Sequence, residues 1–170
     1  MAAAINNNLG TLLTGPYGAY PAANFNPTGE DLSYVYTKIA TCGIPVVGTD
    51  LAGSQYRFCR IFSSDIPQIV EFGSTALTAG ALSLGVWYPN AGAHYSSAAE
   101  HLFATSIDCS SAVAPANKRF TNLALTTGGQ RVWQLLGASS DPLQWYDLVA
   151  VSTTGATVAG TLYMRYEFSR

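Results

Sequence analysis

Two histidines, His94 and His101, are the only candidates in this 170-residue sequence for a general base that works near neutral pH. A serine hydrolase needs its nucleophile beside such a base and commonly carries it on a G-x-S-x-G turn. No such turn occurs, because the stretch GASSD at residues 137–141 lacks the second glycine. The sequence therefore predicts that the protein is not an enzyme.

Four side chains in one stretch of sequence could bind a divalent cation such as zinc or manganese: His94, Glu100, His101 and Asp108. Their spacing fits no metal-ligand pattern, because adjacent residues such as Glu100 and His101 point in different directions. A calcium loop, a phosphate-binding glycine loop and a dinucleotide-binding motif are also absent from the sequence. We predict neither a metal nor another cofactor.

Three cysteines, Cys42, Cys59 and Cys109, are widely spaced and form no C-x-x-C pair. An odd number at these spacings favours neither a disulfide framework nor a zinc site. We predict buried thiols in a reducing compartment.

Aromatic residues are the remaining side chains that could bind a ligand. Trp87-Tyr88, Trp133 and Trp145-Tyr146 could line a sugar-binding face, because aromatic rings stack on the apolar faces of sugars. The alternative is that they belong to the core or to an interface, as tryptophans of small β domains usually do.

Charge is scarce and scattered. Charged residues make up 11% of the sequence and the net charge is −2, against about 25% charged residues in ordinary soluble domains. Nucleic-acid binding requires clustered basic side chains, and the only adjacent basic pair, Lys118-Arg119, is predicted to be solvated. So little charge also predicts that other subunits cover part of the surface, as in a homo-oligomer.

No membrane association is predicted. The longest uncharged internal run, residues 72–99, is interrupted by glycine and proline, which excludes a spanning helix. The N-terminus has no basic segment followed by an apolar one, so we expect no secretory signal.

Residues 1–30 are predicted to form an extended arm. The first 29 carry no charge and contain the pairs GP, YP and NP at residues 15–16, 20–21 and 26–27, which disfavour helix and strand. We expect the arm to become ordered on a neighbour's surface; the alternative is that it wraps its own domain. Its predicted contact residues are Leu9, Leu12, Leu13, Tyr17, Tyr20 and Phe25.

Residues 31–170 are predicted to form one mostly β domain, an antiparallel β-sandwich of the jelly-roll kind. Short runs rich in β-branched and aromatic residues, separated by turn residues, are typical of strands in such folds. The predicted strands are residues 32–40, 56–63, 68–72, 82–88, 121–125, 146–153 and 160–168. In the last of these, Leu162, Met164, Tyr166 and Phe168 should share the core face.

Two short helices are predicted within this domain. Residues 97–103 begin with the spacing of a capping box, Ser97 to Glu100, and residues 131–136 end at Gly137, which is suited to a left-handed stop.

An ordered series of motifs spans residues 55–168. They include IVEF at 69–72, GALSLGVWY at 80–88, RVWQLLG at 131–137 followed by DP at 141–142, YDLVA at 146–150 and AGTLY at 159–163. In this order they resemble small virion structural proteins of tailed bacteriophages. The arm lies outside the resemblance.

This resemblance implies a structural protein of the virion, and first of all a capsid decoration (cement) protein. Such a protein would act as a homotrimer that binds the major capsid protein on the outer capsid surface, after assembly in the host cytoplasm. The alternatives are a neck, tail or fibre component of the virion or a carbohydrate-binding module.

Overall fold

The structure, a computed structural model, describes residues 7–9, 11–12, 37–78, 80–89 and 96–169. The strands of this part are β1 (Asn7–Leu9), β2 (Thr11–Leu12), β3 (Thr37–Val46), β4 (Gln55–Phe62), β5 (Ile66–Ser74), β6 (Ala81–Trp87), β7 (Ala104–Asp108), β8 (Val113–Asn117), β9 (Trp145–Ser152) and β10 (Gly160–Ser169). Its helices are α1 (Ser97–Glu100), α2 (Val132–Leu135) and the 3-10 helix Leu125–Thr127. None of the described helices is long and apolar enough to cross a membrane.

The strands form two facing sheets with jelly-roll connectivity. One sheet has the order β1-β4-β9-β6-β7 and the other the order β2-β3-β10-β5-β8. Strands β3 to β10 supply four antiparallel strands to each sheet, and the order in which the chain passes between the sheets is that of a jelly roll. The predicted antiparallel β-sandwich is confirmed.

Strand β10 shows how the sequence pattern builds the core. Leu162, Met164, Tyr166 and Phe168 are all buried, as predicted from their alternation. The two sheets also meet through aromatic rings, since the Phe58 ring on β4 lies edge-on to the Phe72 ring on β5, with 6.3 Å between centroids. Alternating apolar side chains from both sheets therefore fill the space between them.

Strand β9 is buried on both faces. Tyr146, Leu148 and Ala150 point into the core, and on the opposite face Val149 and Val151 form a second apolar cluster with Trp87 of β6. The almost continuous apolar run of this strand is typical of a strand without a solvent-facing side.

Helix α1 covers the outer face of β6 at Gly85. A Cβ atom on Gly85 would overlap the carbonyl oxygens of Ala99 and Glu100. The helix is capped by Ser96, whose Oγ accepts a hydrogen bond from Ala99 N at 3.2 Å, so the cap lies one residue before the predicted Ser97. Both helices are shorter than predicted, and Gly137 has the expected left-handed φ of 74°.

Several predicted elements differ from the structure. Residues 121–124 form turns and bends instead of a strand, residue 125 begins the 3-10 helix, and β7 and β8 were not predicted. Strand β3 continues beyond its predicted end at residue 40 to Val46; residues 32–36 of that prediction lie outside the described part.

The Lys118-Arg119 pair is not a solvated face, because Arg119 is buried. Its guanidinium lies 4.3 Å from the centroid of the Phe120 ring and donates to Thr127 O. Of the cysteines, Cys42 and Cys109 are buried as predicted, whereas Cys59 is only partly buried.

Candidate interaction site

The backbone of the arm begins on the edges of its own two sheets. Asn7–Leu9 runs parallel to β4, with Leu9 opposite Arg57, and Thr11–Leu12 runs antiparallel to β3, with Leu12 opposite Cys42. This pairing corresponds to the alternative in which the arm wraps its own domain. The other predicted contact residues, Leu13, Tyr17, Tyr20 and Phe25, lie outside the described residues.

A shallow groove crosses the outer face of the sheet that contains β3, β10 and β5. Its central side chain is Tyr163, which is 43% exposed and has a glycine opposite it on each neighbouring strand, Gly43 on β3 and Gly73 on β5. The ring of Pro115 on β8 lies against Gly73. This Tyr163 groove has a volume of about 330 Å³ and is lined mainly by apolar atoms.

The charged side chains beside the Tyr163 groove bind one another. Arg165 forms an ion pair with Glu71 at 3.5 Å and a second ion pair with Glu167. Since each of these charges has a partner, the groove best fits an uncharged ligand.

A second apolar surface lies at the end of the sandwich where β4 ends and β9 begins. Trp145 is 48% exposed and packs edge-on against Phe62, with 4.9 Å between ring centroids. Leu143 is 72% exposed and has a φ of 50°, a left-handed conformation that is costly for a leucine. Apolar side chains held in this way are suited to contact another protein.

Hydrogen bonds hold the loop that presents Leu143. Leu143 N donates to Asp141 Oδ1 at 2.9 Å, Ser63 Oγ donates to the same oxygen, and Gln144 N donates to Ser63 Oγ at 3.2 Å. The loop therefore presents Leu143 from a fixed backbone.

The opposite end of the sandwich carries further exposed apolar side chains. Val47 and Leu51 come from the loop between β3 and β4, and Val158 comes from the loop between β9 and β10. Asp50 fixes the first loop, since its Oδ2 accepts hydrogen bonds from Val47 N at 3.1 Å and from Tyr56 Oη at 2.8 Å. Desolvation, followed by the hydrogen bond to Asp50, raises the pKa of Tyr56, so this hydroxyl remains a donor.

The outer face of the β4-β9 pair contains a buried ionic network. Arg57 binds Asp147 Oδ2 at 2.9 Å, and both side chains are about 5% exposed. Arg60 binds Asp147 Oδ1 at 3.0 Å, while the remaining donors of Arg57 reach Gln55 Oε1 and Tyr88 O. Each carboxylate oxygen of Asp147 thus has an arginine partner, and the network links β4 to β9.

The residues weighed as metal ligands do not form a metal site in the described part of the chain, where no group of three or more His, Cys, Asp and Glu side chains could hold an ion. Glu100 and His101 lie at the end of α1, and His94 is outside the described residues. Asp108 caps the turn after β7, and its hydrogen bonds from Ser110 lower its pKa.

The aromatic residues weighed for sugar binding are not gathered on one open face. Trp87 and Tyr146 are buried, Tyr88 packs against Tyr146 with 5.9 Å between ring centroids, and Trp145 is exposed at the end of the sandwich. This arrangement disfavours a carbohydrate-binding platform.

Two solved structures contain chains similar to this one. A chain of the "Cyanophage Pam1 capsid asymmetric unit" aligns with a TM-score of 0.50 and 14% sequence identity, covering 92% of this chain and 97% of that one. A chain of the "Capsid of Ralstonia phage GP4" aligns with a TM-score of 0.53 and 9% identity, covering 81% and 87%. The chain thus shares its fold with chains from two phage capsids.

The sequence comparisons add no family to this result: no family model matches the sequence, and no curated protein matches it. At such low identity the structural similarity establishes the fold. It agrees at the level of the fold with the resemblance to phage virion proteins drawn from the motifs.

Sequence reasoning missed the Tyr163 groove and the exposed Leu143. Gly43, Gly73 and Pro115 are visible in the sequence, but only the register of the strands shows that they lie beside Tyr163 and form a groove with it. For Leu143, no sequence pattern indicates a leucine in a left-handed conformation.

Proposed function

We propose that the protein is a structural component of a bacteriophage virion and, more specifically, a capsid decoration (cement) protein. The observation that carries this proposal is the shared jelly-roll fold, which extends over nearly the whole length of this chain and of a chain in the Pam1 capsid asymmetric unit. The protein would bind the major capsid protein on the outer surface of the head.

The surface of the protein supports a structural role. Exposed apolar side chains lie at both ends of the sandwich, including Leu143, Trp145, Val47 and Val158, and charged residues make up only 11% of the sequence. Burying about 300 Å² of apolar surface at about 25 cal/mol per Å² contributes roughly 7 kcal/mol before the cost of association. Repeated around a closed shell, contacts of this size would stabilise the head against internal pressure.

The arm supports the same role. It is uncharged, and an extended segment adds much contact area per residue or pairs with a sheet edge. We propose that Leu9, Leu12, Leu13, Tyr17, Tyr20 and Phe25 contact the capsid or a neighbouring subunit, and that the protein is a homotrimer.

The test is to mix the purified protein with expanded heads of its phage that lack it, and to image the heads by electron cryomicroscopy. We expect density at regular surface positions with three-fold symmetry, and light scattering should give the mass of a trimer. A protein that leaves the heads undecorated at saturating concentration would contradict the cement role.

The arm is tested with a variant that retains β1 and β2. Leu13→Ser, Tyr17→Ser, Tyr20→Ser and Phe25→Ser together should abolish decoration without changing the far-ultraviolet circular dichroism. The control is Leu125→Ser, which removes an apolar side chain that is 78% exposed and lies outside the arm. Full decoration by the arm variant would show that these arm residues do not contact the capsid.

A neck, tail or fibre component is the second candidate, because the same fold and self-association would serve it. Quantitative mass spectrometry of intact virions distinguishes the two. Hundreds of copies per particle would support a role on the capsid shell, and a copy number small enough to form a single ring would support a role in the neck or tail.

A further inference from the structure

We propose that the Tyr163 groove binds residues 15–21 of the N-terminal arm, with the sequence GPYGAYP. This assigns a specific acceptor surface on the β-sandwich to a specific segment of the chain. The inference concerns recognition between two parts of the protein and can be tested without a capsid.

The groove has the chemistry of a surface that binds extended proline-containing peptides. Such surfaces present aromatic and proline side chains in shallow channels and leave the peptide backbone extended. Here Tyr163 is 43% exposed and stands between Gly43 and Gly73, which carry no side chain, and the ring of Pro115 lies against Gly73. The volume of about 330 Å³ lies near the lower end of the roughly 300–1,000 Å³ typical of binding pockets.

Residues 15–21 match this groove in charge and composition. The segment contains two prolines and two tyrosines and no charged residue. A neutral segment suits the groove because Arg165 and Glu71 already form an ion pair beside it. Each proline fixes one backbone dihedral and disfavours helix in the residue before it, so less conformational entropy is lost when the segment docks.

The position of the arm brings this segment within reach. Thr11 lies opposite Gly43, and Gly43 lies opposite Tyr163, so β2 is two strands away from β10. Neighbouring strands are about 4.8 Å apart, which places the two backbones about 10 Å from each other. Pro16 follows Leu12 by four residues, and an extended chain of that length spans up to about 13 Å. The chain then returns to the same sheet at Thr37, where β3 begins.

Photo-cross-linking of the full-length protein tests the proposal. With p-benzoylphenylalanine in place of Tyr163, we expect irradiation to link position 163 to residues 15–21, as identified by mass spectrometry of the digested product. The matched control carries the same photoreactive residue in place of Leu125, which is exposed on the 3-10 helix, and should give no link to this segment.

A second variant tests whether the cross-link depends on the two prolines of residues 15–21 and does not arise from random collision of the arm with position 163. Pro16→Ser and Pro21→Ser together should lower the yield of this cross-link several-fold while leaving the melting temperature of the sandwich unchanged. Links from position 163 to other segments only, or an undiminished yield in the double variant, would overturn the proposal.

The size of the cross-linked product shows whose arm occupies the groove. Both products support recognition of residues 15–21. A dimeric product means that arms are exchanged between copies, which places Tyr17 and Tyr20 on a neighbouring subunit; a monomeric product means that each chain binds its own arm, which takes these two residues out of the capsid contact. Failure of this test would leave the capsid role intact, because decoration of heads is measured separately.

Discussion

Asp147 is the residue whose charge matters most to the fold. Its carboxylate lies between Arg57 and Arg60, and Arg57 is almost completely buried. Removing one partner of a buried ion pair leaves an uncompensated charge, so Asp147→Asn should lower the free energy of unfolding by about 3–5 kcal/mol.

Urea denaturation measures this effect, and Glu71→Gln is the matched control. The Glu71–Arg165 pair is partly exposed, so its loss should cost less than about 1 kcal/mol. Equal losses from the two variants would show that the Arg57–Asp147 pair is not desolvated.

Gly85 is fixed by the close approach of α1. Gly85→Ala places a methyl group against the carbonyl oxygens of Ala99 and Glu100, which belong to the backbone and move only if α1 shifts. Overpacking of this kind should lower the free energy of unfolding by about 3 kcal/mol.

Thermal denaturation measures this loss. Gly128→Ala serves as the comparison, because Gly128 has a φ of −53° that alanine also adopts. A Gly85→Ala protein as stable as the Gly128→Ala protein would mean that α1 does not lie on β6.

The thiols predict how stability changes at high pH. Burial raises the pKa of Cys42 to about 11 and also raises the pKa of Cys109 and Cys59. The unfolded chain therefore loses these protons at lower pH than the folded chain does, and stability should fall as the pH rises from about 9 towards 11.

Alkylation by iodoacetamide provides the direct measurement. At about pH 8 the folded protein should react slowly at all three thiols and the urea-unfolded protein quickly, because the thiolate is the reacting species. Fast alkylation of Cys42 in the folded protein would contradict its burial.

At the scale of elements, the position of a strand in its sheet predicts its local stability. Strands β9 and β10 each lie between two neighbours, whereas β8 is mostly exposed and, among the described strands, pairs only with β5. Hydrogen exchange should therefore be slowest in β9 and β10 and fastest in β8 among strands β3 to β10. A β8 as protected as β10 would indicate a further strand at that edge.

The elements that were predictable from sequence are those with a buried face. Strands β4, β5, β6, β9 and β10 follow the β-branched and aromatic runs, because burial of one or both faces imposes that pattern. The edge strands do not show this pattern, since β7 (ATSID) and β8 (VAPAN) have no clear alternation. Pro115 is tolerated in β8 only because this strand lies at an edge. Residues 121–125 mimic a strand through local alternation but form turns that lead into the 3-10 helix.

The candidate interaction site was less predictable than the fold. The apolar content of the arm is visible in the sequence, but exposure depends on the register of distant strands. Alternation along β10 places Tyr163 on the face opposite to Tyr166, but only strand register shows that Gly43 and Gly73 lie beside it.

At the scale of the whole molecule, the low charge predicts how assembly responds to solution conditions. The proposed contacts are apolar, and the net charge is only −2. Binding to heads should therefore change by less than about twofold between about 0.05 and 0.5 M NaCl, because salt screens charges and leaves apolar contacts in place. Sedimentation of decorated heads at each salt concentration measures the bound fraction, and a steep loss with salt would indicate an electrostatic interface.

The pairing of Asn7–Leu9 with β4 and of Thr11–Leu12 with β3 has a mechanical consequence. These segments are one residue apart in sequence, yet they join different sheets. A tensile force applied to the chain beyond Leu12 would load the hydrogen bonds of β2 first and those of β1 only after β2 has detached. Each layer of the sandwich would thus resist removal of the arm in turn.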